Sequence, residues 1–154
     1  MIVKNLKRYV SPDQRSDREN GLTVKLFSTH AFQESGFFNT IFQCAHVGDV
    51  LERRFIITLD DEPKSIIESY IPCLFIGQRS NCANSLERDL DKEYSSTCIE
   101  RELLLTWPTG TEAESLRLIG DSRVIVEKQS VIYNGGILRY EQEISDPEFY
   151  EFKN

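Results

Sequence analysis

The sequence contains the same supersecondary pattern twice, and this repeat limits the possible folds more than any other feature. Residues 49–72 carry two apolar, β-branched runs on either side of a polar turn at residues 60–63, which predicts a β-hairpin. Residues 122–147 carry a second pair of such runs around Asn-Gly-Gly at residues 134–136. Asparagine and glycine adopt positive φ at little cost, so this segment also predicts a hairpin.

A strand and a helix are predicted before each hairpin. In the first copy the strand covers residues 23–28 and the helix lies within residues 31–44. In the second copy the strand covers residues 102–107 and the helix covers residues 111–118, with a capping threonine and an acidic first turn. A Gly-Asp pair stands between helix and hairpin in both copies. The repeated order indicates an internal duplication, and the alternative is a chance likeness between two hairpins.

The two copies are joined by a segment with helical periodicity. Leu86, Leu90 and Tyr94 recur at the spacing of one helix face, so residues 85–94 are predicted to form an amphipathic helix. About six strands in hairpins and three helices predict an α+β fold with an antiparallel sheet. We expect residues 22–154 to form this domain, with a linker-like segment at residues 1–21, and a ligand site between sheet and helices.

Composition excludes several classes of function. The formal net charge is −7, and the only basic cluster is Lys4, Lys7 and Arg8, so we expect no DNA binding by this chain alone. No apolar run reaches transmembrane length, and the N-terminus has no signal-peptide pattern, which favours a cytoplasmic protein without membrane contact.

Cofactor and metal chemistry find no support in the sequence. The four cysteines are irregularly spaced, and neither His30 nor His46 completes a zinc pattern or a nucleophile–base pair. No glycine-rich phosphate loop is present, because Gly135-Gly136 belongs to a hairpin turn. We therefore expect no cofactor, no metal and no catalytic residues.

The order of these segments resembles the UTRA domain, the chorismate-lyase-like effector-binding module of GntR/HutC transcription regulators. The family has a Glu-Pro turn followed by a Glu-x-Ser-Tyr-x-Pro strand, and Glu62-Pro63 and residues 68–72 are similar, with the glutamate one place nearer the serine. The linking helix, the acidic second helix and Glu141 after the last turn match the remaining pattern over about residues 22–152.

The resemblance implies a chorismate-lyase-like fold, a homodimer, and a non-enzymatic site for a small anionic metabolite such as a sugar phosphate or carboxylate. The winged helix-turn-helix that normally precedes this domain is absent from the chain, so DNA contact is expected only through such a half. Asp146-Pro147 occupies the place where the family often has an aromatic pocket residue.

Two adjacent arginines are the candidate anion holders. Arg53 and Arg54 lie on the first strand of the first hairpin, and strand neighbours face opposite sides, so only one can face the helices. We favour Arg53, because the resemblance implies that arginines here bind phosphate or carboxylate groups through bidentate hydrogen bonds. The alternative for the other arginine is a solvated residue paired with a nearby glutamate.

Four further residues complete the candidate ligand site. Glu68 and Glu141 are equivalent in the repeat and would bind hydroxyl groups together, although pairing with Arg139 or Arg53 at a dimer interface is the alternative. Ser85 begins the linking helix as an N-cap and would help to hold the anion. Tyr70 is included as a contact, with packing as its alternative role, and Trp107 is expected in the core.

Two other functions remain open. The chorismate-lyase fold also serves an enzyme, for which Arg53 with Glu100 or Glu102 would act on the substrate. The missing aromatic at residues 146–147 instead favours a dimerisation module without a ligand.

Overall fold

The computed structural model of the chain describes residues 2–5, 11–17, 19–95 and 98–153. The strands are β1 (Ile2–Asn5), β2 (Leu22–Phe32), β3 (Val50–Leu59), β4 (Glu62–Pro72), β5 (Cys98–Thr106), β6 (Val124–Tyr133), β7 (Gly136–Ser145) and β8 (Tyr150–Lys153). The helices are α1 (Gly36–Ile41), α2 (Cys73–Ile76), α3 (Leu86–Glu93) and α4 (Gly110–Ser115).

Six strands form one sheet in the order β2-β3-β4-β7-β6-β5, and each neighbouring pair is antiparallel. This order is symmetric about the β4–β7 contact, because each half of the chain contributes a strand, a helix and a hairpin in the same sequence. The predicted α+β fold with six strands and duplicated halves is confirmed. The short helix α2 is additional to the three predicted helices.

Both hairpins turn through residues with positive φ, which the sequence predicts for the second turn. Asp60 and Asp61 have φ of 49° and 66°, and Asn134 and Gly135 have φ of 48° and 73°. Two successive residues in this region match the right-handed twist of the flanking strands. The second turn requires a glycine or asparagine more strongly than most positions in the chain.

The capping residues fix where two of the helices begin. The side chain of Thr109 accepts a hydrogen bond from the Glu112 amide, and the Glu112 side chain accepts one from the Thr109 amide. This capping box satisfies two amides that the first turn of α4 leaves unpaired. Ser35 similarly accepts a hydrogen bond from the amide of Phe38 in α1.

The sheet has two differently covered faces. On the face that we call the α3 face, Leu51 and Ile71 pack against Leu86 and Leu90 of helix α3. We call the opposite one the α1/α4 face. There, α1 covers one end through Phe38. At the other end Leu116, which directly follows α4, packs in a cluster with Ile66, Val124, Val126 and Ile144. The core therefore lies in separate layers on both sides of the sheet.

The segment before β2 contacts the domain at several points. Strand β1 pairs in parallel with β8, Arg88 of α3 forms an ion pair with Asp13 at 3.1 Å, and Arg15 binds carboxylates on β7. These contacts differ from the linker-like behaviour predicted for residues 1–21. Lys7 and Arg8 of the predicted basic cluster lie outside the described residues.

Two further sequence expectations are tested by the fold. Trp107 is 57% exposed, with the Arg123 guanidinium 4.9 Å from its ring centroid, so its predicted core position is wrong. Trp107 follows the end of the edge strand β5, where no described strand covers it. Across the described ranges, no helix combines the length and apolar character needed to cross a membrane.

Helix α3 should depend strongly on one buried leucine. Leu90 is fully buried against the sheet, so Leu90→Ala should lower the free energy of unfolding by about 2–5 kcal/mol, because it leaves a cavity. Lys92→Ala on the exposed side of the same helix should change it by less than about 0.5 kcal/mol. Urea unfolding of both variants measures the difference, and equal effects would contradict the described packing of α3.

Candidate functional site

A row of polar side chains crosses the four central strands on the α3 face. The strand register places Arg53 opposite Ser69, Ser69 opposite Glu141, and Glu141 opposite Gln129. Each of these four residues is at most 1% exposed. Burying polar groups without partners is costly, so the contacts of this row determine whether the fold is stable and what the site can bind.

Arg53 is held by helix α3 and by the loop before it. Its Nε donates hydrogen bonds to the Glu87 carboxylate oxygens at 3.0 and 2.8 Å, and its Nη2 donates to Glu87 Oε1 at 2.7 Å. Its Nη1 donates to the Asn81 carbonyl at 2.6 Å. A guanidinium binds a carboxylate in this bidentate way with particular strength. Arg53 therefore faces the helix, as predicted, but an internal carboxylate occupies it.

Arg139 forms a second pair of the same kind. Its Nε and Nη2 donate to the two Asp91 carboxylate oxygens at 2.8 and 2.7 Å, and its Nη1 donates to Glu141 Oε1 at 3.0 Å. Because Asp91 and Glu87 are one helical turn apart, α3 places one carboxylate over each arginine.

A third arginine reaches the row from outside the sheet. Arg15 donates from Nη1 to Glu143 at 2.7 Å, and its Nη2 contacts Glu141. Glu141 therefore lies between two guanidinium groups, those of Arg15 and Arg139. Glu141 was predicted to bind ligand hydroxyl groups, with pairing to an arginine as the alternative. The structure shows the alternative.

The titration of the cluster follows from burial and from its several carboxylates. Burial raises the pKa of Glu87 although Arg53 is beside it. Burial, together with the Glu141 and Glu87 carboxylates, raises the pKa of Asp91 to about 8. Burial also acts to raise the pKa of Glu141, but Arg15 and Arg139 outweigh it and hold that pKa below its ordinary value.

Two buried polar atoms in the row have no hydrogen-bond partner among the described residues. They are Ser69 Oγ and Gln129 Oε1, which lie on either side of Glu141 in the strand register. Buried polar atoms are nearly always satisfied in native proteins, so these two are available to a ligand or to water.

The remaining predicted contacts lie on the other face of the sheet. Arg54 has its guanidinium 5.5 Å from the ring centroid of Phe27. The Tyr70 hydroxyl donates to Glu68 at 2.7 Å, and Gln142 donates to Glu68 at 3.3 Å. Glu68 and Glu141 hold equivalent positions in the repeat, but their side chains lie on opposite faces of the sheet, because Glu141 pairs with Ser69 and not with Glu68. The prediction that Glu68 and Glu141 bind one ligand together is therefore wrong.

Ser85 directly precedes helix α3 but does not cap it. It precedes α3 with φ −89° and ψ 8°, and its hydroxyl donates to Asp89 at 2.8 Å. An N-cap side chain reaches the first helical amides from an extended backbone, and Ser85 is not extended. The capping role predicted for Ser85 is wrong.

Sequence reasoning missed several residues of this site, namely Glu87, Asp91, Tyr150, Ser69, Gln129, Arg15 and Glu143. Glu87 and Asp91 follow the apolar positions Leu86 and Leu90, so acidic residues one turn apart beside a buried helix stripe were the available signal. Ser69, Gln129, Arg15 and Glu143 had no signal beyond their positions in the sequence, whereas Arg139 was already considered as a partner of Glu141, which it contacts at 3.0 Å. Tyr150 is buried, and its hydroxyl accepts a hydrogen bond from Ser65 at 2.7 Å, so an aromatic does reach this face, further along the chain than residues 146–147.

The residues that the enzyme alternative requires do not lie together in the structure. Glu100 and Glu102 are exposed on strand β5, where the register places Arg101, between them, in line with Gln129. Both glutamates therefore face away from the α3 side on which Arg53 lies, and three strands separate β5 from the strand of Arg53. Among the described residues, no group of three His, Cys, Asp or Glu side chains is placed to hold a metal ion.

The fold is that of the effector domains of GntR-family transcription regulators. A GntR-family regulator from Enterococcus faecalis is 16% identical with a TM-score of 0.74, covering 86% of this chain and 99% of the other. The effector domain of PhnF from Mycobacterium smegmatis is 11% identical with a TM-score of 0.79, covering 99% and 97%. The C-terminal domain of the histidine utilization repressor from Pseudomonas syringae is 9% identical with a TM-score of 0.75, covering 86% and 96%.

These likenesses establish the fold alone, because every identity is low. No family model matches the chain. No curated protein matches it either. The sequence resemblance to the UTRA domain is thus confirmed at the level of three-dimensional structure.

The raised pKa of Asp91 predicts an unusual pH dependence. A carboxyl with pKa about 8 in the folded chain and about 4 when unfolded binds more protons in the folded state, so it makes stability fall as pH rises between those values. Asp91→Asn should flatten this fall between about pH 5 and about pH 8. Urea midpoints across this range measure it.

Asp89→Asn is the control, because Asp89 is exposed on the same helix. Groups that do not interact with Asp91 cancel in the comparison, and Glu141, whose pKa is lowered, contributes only below its ordinary pKa. If Asp91→Asn and the wild type keep the same slope, the protonation assigned to Asp91 is contradicted.

Proposed function

We propose that this chain is the effector-binding and dimerisation domain of a GntR/HutC-type transcription regulator and that it is not an enzyme. The fold supports a regulator domain, and the site beneath α3 supports the binding of a small anion. Contact with DNA would come from a winged helix-turn-helix half and not from this acidic domain.

One observation carries the ligand proposal. The Arg53 guanidinium is buried on β3, in line with Ser69 and Gln129, whose unpartnered oxygens are Oγ and Oε1. The guanidinium suits a phosphate or carboxylate. The Ser69 hydroxyl can donate to or accept from a ligand hydroxyl, and Gln129 Oε1 can accept. A sugar phosphate or a hydroxy acid has both kinds of group.

The ligand would take the place of Glu87. Removing one partner from a buried ion pair is strongly unfavourable, because the other charge is left without compensation. An anionic ligand avoids this penalty, since its own oxygens replace those of Glu87 on Arg53. Glu87 would leave with α3, which carries it, so ligand binding and the position of α3 would be coupled.

A second function is favoured by the same contacts. Both Arg53 and Arg139 already have bidentate carboxylate partners from α3. If this network is purely structural, the chain is a dimerisation module that regulates through protein contacts without a ligand. The two functions differ in whether any anion stabilises the folded state.

A thermal-shift screen of phosphorylated sugars and organic acids separates them. A ligand at a hundredfold excess over its dissociation constant should stabilise the folded chain by about 2.7 kcal/mol. This gain should disappear in the double variant Arg53→Met/Glu87→Met, which removes both charges and so avoids an unpaired buried charge.

The matched control is Arg54→Met on the opposite face, which should keep the stabilisation. If a hit stabilises the double variant and the wild type equally, binding at Arg53 is wrong. If no compound in the screen stabilises the wild type, the ligand-free module is the better account.

A further inference from the structure

Strand β5 is an edge strand with exposed apolar side chains. It is the last strand in the sheet order, so no described strand pairs with its outer side. Leu103, Leu104 and Leu105 are 44%, 36% and 58% exposed, and Trp107 beyond the strand end is 57% exposed. Because neighbouring residues alternate in direction, these leucines leave both faces of the edge apolar.

The two edges of the sheet differ in how they are protected. Strand β2 at the other edge has a register shift between Leu26 and Ser28, and Lys25 precedes it. Strand β5 pairs with β6 from Cys98 to Thr106 without a shift, and it contains no proline or lysine. Bulges, charged side chains and prolines hinder edge-to-edge association. Residues 100–102 of β5 are charged, so the part that lacks this protection is the run Leu103, Leu104 and Leu105.

We propose that β5 pairs antiparallel with β5 of a second copy of this chain, with Leu104 beside the two-fold axis. This inference rests on the proposed dimerisation and names its interface. Opposed residues of an antiparallel pair lie on the same face of the sheet. When two copies form one continuous sheet, the two-fold axis therefore passes beside one residue of β5, and that residue lies opposite the same residue of the second copy. Four residues near the exposed part of β5 can take that place, namely Glu102, Leu103, Leu104 and Leu105.

The side chains and the strand length select Leu104 among these four. With Leu105 at the axis, only residues 104–106 of the strand pair with each other, and Leu104 faces Thr106. With Glu102 at the axis, two glutamates face each other, which is unfavourable. With Leu103 at the axis, each Glu102 faces Leu104. With Leu104 at the axis, Leu103 faces Leu105 of the second copy and Glu102 faces Thr106.

The same register extends beyond the strand. It places Arg101 opposite Trp107 of the second copy, where a guanidinium and an indole ring interact favourably. All three exposed leucines and the exposed tryptophan are then covered by one contact. The resulting sheet would have twelve strands, with the candidate ligand sites on the same face in both copies.

Light scattering on the whole chain tests the interface. We expect the wild type to be a dimer and Leu104→Glu to raise the dissociation constant of the dimer at least about tenfold, because two glutamates would face each other in place of leucines. Leu74→Glu is the matched control, since Leu74 is 73% exposed on α2, and it should leave the dimer unchanged. Circular dichroism confirms that both variants are folded.

A disulfide measures the register directly. Leu104→Cys should form a covalent dimer under mild oxidation, because directly opposed Cα atoms lie about 4.5–5.5 Å apart. Glu102→Cys should not, and the wild type controls for the native cysteines. A dimer cross-linked through Glu102→Cys instead would overturn the register.

A dimer that survives Leu104→Glu would overturn the interface while leaving dimerisation itself intact. A wild-type monomer at high micromolar concentration would overturn both. Neither result bears on ligand binding at Arg53, which the thermal-shift screen tests separately.

Discussion

The contact between Arg53 and Glu87 is the interaction on which the α3 side of this domain depends. A guanidinium in the middle of a sheet has no access to water here, so its charge is tolerable only with a carboxylate beside it. Glu87 supplies that carboxylate, and Leu86 and Leu90 bring it into place by packing on the sheet. The apolar stripe and the ion pair therefore fix α3 together.

This arrangement makes the candidate site a competition between carboxylates. In a sensor with an open anion pocket, affinity depends on the attraction between ligand and arginine. In this chain, the affinity for a ligand would depend on how much more favourably Arg53 binds the ligand than it binds Glu87. The free-energy cost of moving α3 would lower that affinity. A ligand can shift a conformation only by its differential affinity for the two states. Anions that interact with Arg53 more weakly than the chain's own carboxylates would therefore not bind.

The sequence predicted the fold well because local signals in both halves agree. Each of these signals acts over a few residues and predicted its own element: the turn residues at 60–61 and 134–135, the threonine cap of α4 and the leucine spacing of α3.

The site was predicted less well because it depends on strand register and on which residues pair with each other. The repeat places Glu68 and Glu141 at equivalent positions, but pairing of Glu141 with Ser69 sends Glu68 to the other face. Arg53 was correctly assigned to the helix side, but its partner Glu87 lies on an element 34 residues further along the chain, and strand pattern carries no information about it.

The most direct test of the account is a crystal structure of the chain with an anion that stabilises it. We predict that the anion is bound to the Arg53 guanidinium beneath α3, with the Glu87 carboxylate no longer within hydrogen-bond distance and with α3 displaced from the sheet. An anion bound elsewhere while the Arg53–Glu87 pair stays intact would contradict the account and would leave the buried network with a structural role only.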